Sequence, residues 1–151
     1  MRTKLLAATI VIAALGGASL EVLAQAKPDV LVAQRQAAMK LQGKYLGPIG
    51  AMLKGAAPYN ADIVARNATF LENLARMPWD GFDASTKGEK SKAKPEVFTD
   101  PAKFKAAADL LETETSKLGA AARAKDEAGV KATFGGVAKA CGGCHDAFRE
   151  K

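Results

Sequence analysis

Few side chains suited to metal or redox chemistry occur in this chain. Its 151 residues include one histidine, two cysteines and one tryptophan. A single histidine excludes any centre that needs two imidazole ligands. Two cysteines and one histidine also fall short of structural zinc, which almost always takes four ligands. β-branched runs are absent after the first two dozen residues, which argues against a sheet. The formal net charge is +6. However, there is no arginine-rich stripe and there are no base-stacking aromatics, so nucleic acid is not an expected partner. Nowhere does an unbroken apolar run reach the ~20 residues that span a bilayer, so no membrane anchor is expected.

The N-terminus reads as an export signal. Arg2 and Lys4 precede an apolar run from Leu5 to Leu15, and Val22-Leu23-Ala24 offers small residues for a signal peptidase. The expectation is a leader over residues 1–24, cleaved before Gln25, and a periplasmic protein of one domain over 25–151. Loss of Arg2, Lys4 and Glu21 with the leader takes the net charge from +6 to +5.

The cysteines and the histidine all fall in one pentapeptide, Cys141-Gly142-Gly143-Cys144-His145, near the C-terminus. C-x-x-C-H is the attachment sequence for a c-type haem. Cys141 and Cys144 would bond the haem vinyl groups, and His145 would supply one axial ligand. One covalent haem c per chain is expected. An exported C-x-x-C could instead close a disulfide, but haem attachment consumes both thiols. A thioredoxin-like pair needs a βαβ context and a helix N-terminus to lower a thiol pKa. This pair lies near the end of an α-helical pattern.

Four helices are expected. The first covers about 28–54 and starts at Pro28, whose missing N–H costs nothing in a first turn. Val30, Leu31, Ala37, Ala38, Leu41, Tyr45, Ile49 and Met52 keep helical spacing, and Gly43, Gly47 and Pro48 weaken the second half. The second covers about 60–76, capped by Asn60, with Ile63, Val64, Phe70, Leu71 and Leu74 apolar. A long connection over 77–99 carries Lys87, Lys90, Lys92 and Lys94, with Trp79 and Phe82 as its apolar pins. Such loops often cover a ligand. The third helix opens on Asp100-Pro101, and Phe104, Ala107, Ala108, Leu111, Thr115 and Leu118 follow at steps of three and four. The fourth covers about 126–150. Its stripe Val130, Phe134, Val137, Cys141, Cys144, Phe148 follows a heptad, which places both cysteines on the buried side. The fold class is therefore all-α, an antiparallel four-helix bundle with covalently bound haem near its C-terminus.

The sixth iron position is open to Met39, Met52 or Met77. Met77 sits in the loop beside Pro78. Met52 points more than ~120° away from Met39 on a regular helix. Met39 shares a face with Arg35 and Gly43. It suits a ligand against a flat cofactor, and it equally suits a plain filler of core space. Arg35 could pair with a haem propionate.

These residues resemble the class II c-type cytochromes, that is, cytochrome c′ and the low-spin c-556 type. The resemblance spans residues 25–151. It rests on the C-terminal Cys-Gly-Gly-Cys-His with Asp146-Ala147-Phe148-Arg149 after it, on Arg35-Gln36-Ala37-Ala38-Met39-Lys40, and on the 55–59, 74–79 and 94–96 segments. It implies that Arg35 and Gln36 contact the haem edge and propionates, and that Met39 faces the iron opposite His145. It also implies that Phe82, Thr86 and Glu89 flank the haem, and that Arg149 lies near His145. In cytochrome c′ the position of Met39 is typically apolar and the iron five-coordinate, whereas in the c-556 type a methionine ligates.

The expected function is soluble periplasmic electron transfer by low-spin iron between Met39 and His145. The thioether would raise the potential, and lysines near the haem would steer acidic redox partner proteins. The alternative is a high-spin cytochrome c′ type with an open site for NO or CO. An enzyme such as a peroxidase is not expected, because no distal acid–base group exists. A homodimer through the first two helices is compatible with the resemblance.

Overall fold

The computed structural model describes residues 26–151. The leader and its cleavage before Gln25 lie outside the described residues. Helix α1 runs Pro28–Leu53 and α2 runs Ala61–Leu74. A single turn, α3, spans Glu96–Thr99, followed by α4 over Pro101–Arg123 and α5 over Glu127–Phe148. α1, α2, α4 and α5 form an antiparallel four-helix bundle, packed α1 on α2, α2 on α4 and α4 on α5. Among the described residues no helix is long and apolar enough to cross a membrane.

The helix starts follow from their caps. Asn60 accepts hydrogen bonds from the Asp62 and Ile63 amides at 3.1 and 3.0 Å. Asp100 accepts from Lys103 at 3.2 Å and Asp126 from Gly129 at 3.0 Å. Pro28 and Pro101 occupy first-turn positions, where a missing N–H leaves nothing unpaired. The tight α4–α5 turn closes through Lys125, which is held at φ 53°.

Pro48 and the neighbouring glycines do not end α1, which continues to Leu53. Ile49 and Gly50 beyond the proline are both buried. A Cβ on Gly50 would come within 2.9 Å of Phe134 Cζ, so packing on α5 holds this half in place against its weak propensity. At the core, Ile49, Val64, Leu71, Leu118, Val130 and Val137 are essentially inaccessible.

One expectation about faces needs correction. Val30, Leu41 and Phe70 are exposed, as is Ala37. They follow helical spacing on an outward side of α1 and α2, where Phe70 packs on Tyr45 at 4.9 Å between centroids. The 77–99 connection is also more ordered than a structureless loop. It holds 3₁₀ turns at Trp79–Phe82 and Ala84–Thr86 as well as α3.

Antiparallel topology brings four chain regions to one end of the bundle. The start of α1, the α2–α4 connection, the start of α4 and the end of α5 all meet there. The chain after α5 is stitched to the connection by an antiparallel bridge between Ala93 and Arg149. Lys94 N donates to Phe148 O at 2.9 Å, and Glu150 N donates to Lys92 O at 2.8 Å.

Candidate functional site

At that end lies a cavity of about 380 Å³. Arg35, Gln36, Met39 and Lys40 line it from α1, and Cys144, His145 and Phe148 from α5. The connection adds Phe82, Ser91, Lys92 and Ala93, α4 adds Phe104, and Arg149 closes the rim.

Arg35 organises the α1 wall. It is only 3% exposed, and no carboxylate pairs with it among the described residues. Its Nη1 donates to the Gly81 carbonyl and to Thr86 Oγ1, the latter at 2.9 Å, and Nη2 donates to Ser91 Oγ at 3.0 Å. The guanidinium carbon lies 4.4 Å from the Phe82 ring centre, within cation–π range. Burial pushes its pKa down, but a guanidinium stays protonated. Thr86 Oγ1 in turn donates a hydrogen bond to Asp83 O at 2.7 Å. α1 thus clamps the connection through one buried cation. The approach also needs Gly81, because a Cβ there would lie 2.7 Å from Leu31 O and 2.8 Å from Arg35 Cβ.

Aromatic rings make the apolar wall. Phe82 meets Phe104 at 4.8 Å and Phe104 meets Phe148 at 5.2 Å, both edge to face, the favoured geometry for such pairs. Trp79 backs them, 6.3 Å from Phe82 and 5.9 Å from Phe104.

On α5, Cys141 and Cys144 are half-buried, one helical turn apart. Burial raises both thiol pKa values, and Cys141 adds to the effect on Cys144, so both are thiols at neutral pH. The pKa of His145 is lowered by burial and then by Arg149, against a smaller opposing pull from Asp146. Its imidazole is therefore neutral near pH 7, the form that binds metal. The same turn is tied down by Lys94 Nζ, which donates to Asp146 O at 2.8 Å.

The residues expected from sequence separate into three groups. Arg35, Gln36, Met39, Phe82, Cys144 and His145 share the cavity. Cys141 packs against the core one turn earlier, and Thr86 is buried behind Arg35. Glu89, expected beside the haem, is exposed and outside the lining of the cavity. It sits at the outer edge of a lysine-rich turn, where a carboxylate is best solvated. Ser91 and Phe104 were not expected in the site. Phe104 carried a signal as the first large apolar residue of α4, but a serine among lysines carries none.

These features fit a covalently attached haem. Two thiols share one helix face, a neutral imidazole follows them, aromatic rings wall the cavity, and a buried cation without an anion borders it. Among the described residues no group of three or more His, Cys, Asp or Glu side chains could hold a metal ion by itself.

Comparison with known proteins gives the same direction. A family model described as Cytochrome C′ matches residues 30–149. Cytochrome c′ of Rubrivivax gelatinosus is 40% identical over 83% of this chain and 98% of its own length. Cytochrome c-556 of Agrobacterium tumefaciens is 33% identical over 78% of this chain and 92% of its own. A variant of cytochrome c prime from Alcaligenes xylosoxidans, solved as its nitric oxide complex, superposes with a TM-score of 0.78 at 38% identity. That match covers 84% of this chain and 98% of the other.

Weakening the Arg35 clamp should loosen the connection selectively. In Arg35→Met, hydrogen exchange at the Thr86 and Lys87 amides is expected to speed up while α4 stays protected. Gly81→Ala should cost about 1–3 kcal/mol through forced displacement of backbone, read as a lower thermal midpoint. Unchanged exchange in Arg35→Met would show that the connection holds without the clamp.

Proposed function

The chain belongs to the cytochrome c′ family, whose members carry covalently attached haem c, and from that premise we propose that it is an exported, periplasmic haem protein of the cytochrome c′ type that binds NO or CO at iron held by His145. One haem per chain is assigned, bonded through Cys141 and Cys144. Bound haem supplies the redox-active iron and the coordination site for a diatomic gas.

The chain's own residues set the conditions. His145 reaches the cavity as a neutral imidazole. Phe82, Phe104 and Phe148 exclude water from the apolar wall. Arg35 offers a fixed cation to a carboxylate at the cavity edge, where a planar fork suits such a partner. Met39 projects from α1, a different wall from that of His145. In this reading it screens the open side of the iron, so that only small ligands enter.

The observation that carries a haem iron here is that Met39 from α1 and His145 from α5 line the same cavity. The relatives then weigh on which iron chemistry follows. Cytochromes c′ at 38–40% identity, one of them solved with nitric oxide bound, support the open, high-spin form over the Met39-ligated, low-spin carrier expected first from sequence. A second reading survives on a specific observation. Met39 does line the cavity, and a relative named cytochrome c-556 is 33% identical. Under it, Met39 ligates and the protein exchanges electrons with periplasmic redox partners steered by Lys40 and Lys92 at the rim.

Ferric optical and EPR spectra separate the two. The proposal predicts high-spin, five-coordinate iron whose spin state is unchanged in Met39→Ala. CO association should rise about tenfold there, equivalent to ~1.4 kcal/mol of removed steric barrier. A low-spin spectrum that turns high-spin in Met39→Ala would establish ligation and refute the proposal.

We also propose that two copies pair through the outward stripe of Val30, Leu41, Tyr45 and Phe70. Three exposed apolar side chains, Val30, Leu41 and Phe70, with the half-buried Tyr45 packed on Phe70, support that contact. Sedimentation velocity should show a dimer that Leu41→Lys converts to monomer. A monomeric unsubstituted protein at tens of micromolar would refute it.

A further inference from the structure

We propose that the Ser91 hydroxyl is a second anchor, beside Arg35, for a carboxylate held at the edge of the cavity. On the haem reading above, that carboxylate is a haem propionate, and the inference rests on that reading.

Hydrogen-bond accounting leads to Ser91. A serine hydroxyl has one donor hydrogen and two acceptor lone pairs. Ser91 Oγ accepts from Arg35 Nη2 at 3.0 Å and from the Ala93 amide at 3.3 Å. Both lone pairs are then engaged, so the O–H is left to donate. No acceptor for it is found among the described protein atoms, and Ser91 lines the cavity. Arg35 has a matching surplus. Three of its five N–H groups go to the Gly81 carbonyl, Thr86 and Ser91, all neutral acceptors, and two remain. A buried cation with neutral partners and spare donors calls for an anion. A hydroxyl proton and a guanidinium on the same side suit one carboxylate, which accepts several hydrogen bonds.

A side chain and the backbone together hold Ser91 in place. Arg35 fixes its side chain. Two residues on, Ala93 bridges to Arg149, and Lys94 N bonds Phe148 O at 2.9 Å. The donor is thus set by the α5 terminus that also carries His145. Ser91 is a positioning residue in this scheme: it orients the carboxylate and steadies Arg35.

The test is the midpoint potential of the haem-loaded protein as a function of pH. It compares the unsubstituted chain with Ser91→Ala, Ser91→Thr and Arg35→Lys. As pH rises through ionisation of the carboxyl, negative charge near the iron favours the ferric state and the potential falls. Loss of a donor destabilises the carboxylate and raises its pKa, so the fall should move up by about one pH unit in Ser91→Ala. Ser91→Thr keeps the hydroxyl and should keep the original profile. His145, Lys40, Lys92 and Arg149 also line the cavity and are common to every variant, so their influence cancels in the comparison. A Ser91→Ala profile that overlies the original, with only a lower melting temperature, reduces Ser91 to loop packing and overturns the proposal. If Arg35→Lys also leaves the profile unmoved while the haem stays covalently attached, the reading that places a carboxylate in this cavity fails with it.

Discussion

Arg35 is the constraint around which this end of the molecule is built. A guanidinium taken out of water loses hydration that neutral hydrogen bonds replace only in part. Here the carbonyl of Gly81 and the hydroxyls of Thr86 and Ser91, with the face of Phe82, offset some of that loss. No carboxylate among the described residues completes it. The same contacts that solvate the cation draw residues 79–91 over the bundle end and give the cavity one of its walls. An anionic group entering the cavity would therefore complete the charge balance and fasten the connection further.

The bundle supplies the rest by topology. In an antiparallel arrangement, the end of α5 necessarily lies beside the start of α1 and the α2–α4 connection. A haem-attachment motif near the C-terminus and an Arg-x-x-x-Met face near the start of α1 thus converge, although about a hundred residues separate them. The Ala93–Arg149 bridge and the Lys94 contacts join the connection to the turn that bears His145. The side of the cavity held by Arg35 and the side held by His145 are accordingly parts of one hydrogen-bonded assembly.

Much of this was legible in the sequence, for physical reasons that differ by residue. Asn60, Asp100 and Asp126 announce helix starts because capping is local chemistry. Val130 and Val137 announce a buried face because the heptad is regular. Cys141, Cys144 and His145 announce a cofactor because C-x-x-C-H is the attachment sequence of a c-type haem and the all-α context disfavours a thioredoxin-like pair. The outward stripe of Val30, Leu41 and Phe70 misled because periodicity reports an apolar face without saying what covers it. Pro48 weakens α1 locally without ending it, because α5 packing at Gly50 holds the second half in place. Ser91 and Glu89 could not be sorted within a lysine-rich segment, where only the folded path decides which side chain turns inward.

A haem seated between α1 and α5, with its carboxylate edge on Arg35, unites these features. A crystal structure of the mature haem-loaded protein tests this most directly. It should show thioether bonds to Cys141 and Cys144, His145 on the iron, Met39 on the opposite side without bonding it, and a propionate within hydrogen-bond distance of Arg35. A macrocycle outside this cavity, or an Arg35 guanidinium that faces no carboxylate, would contradict it.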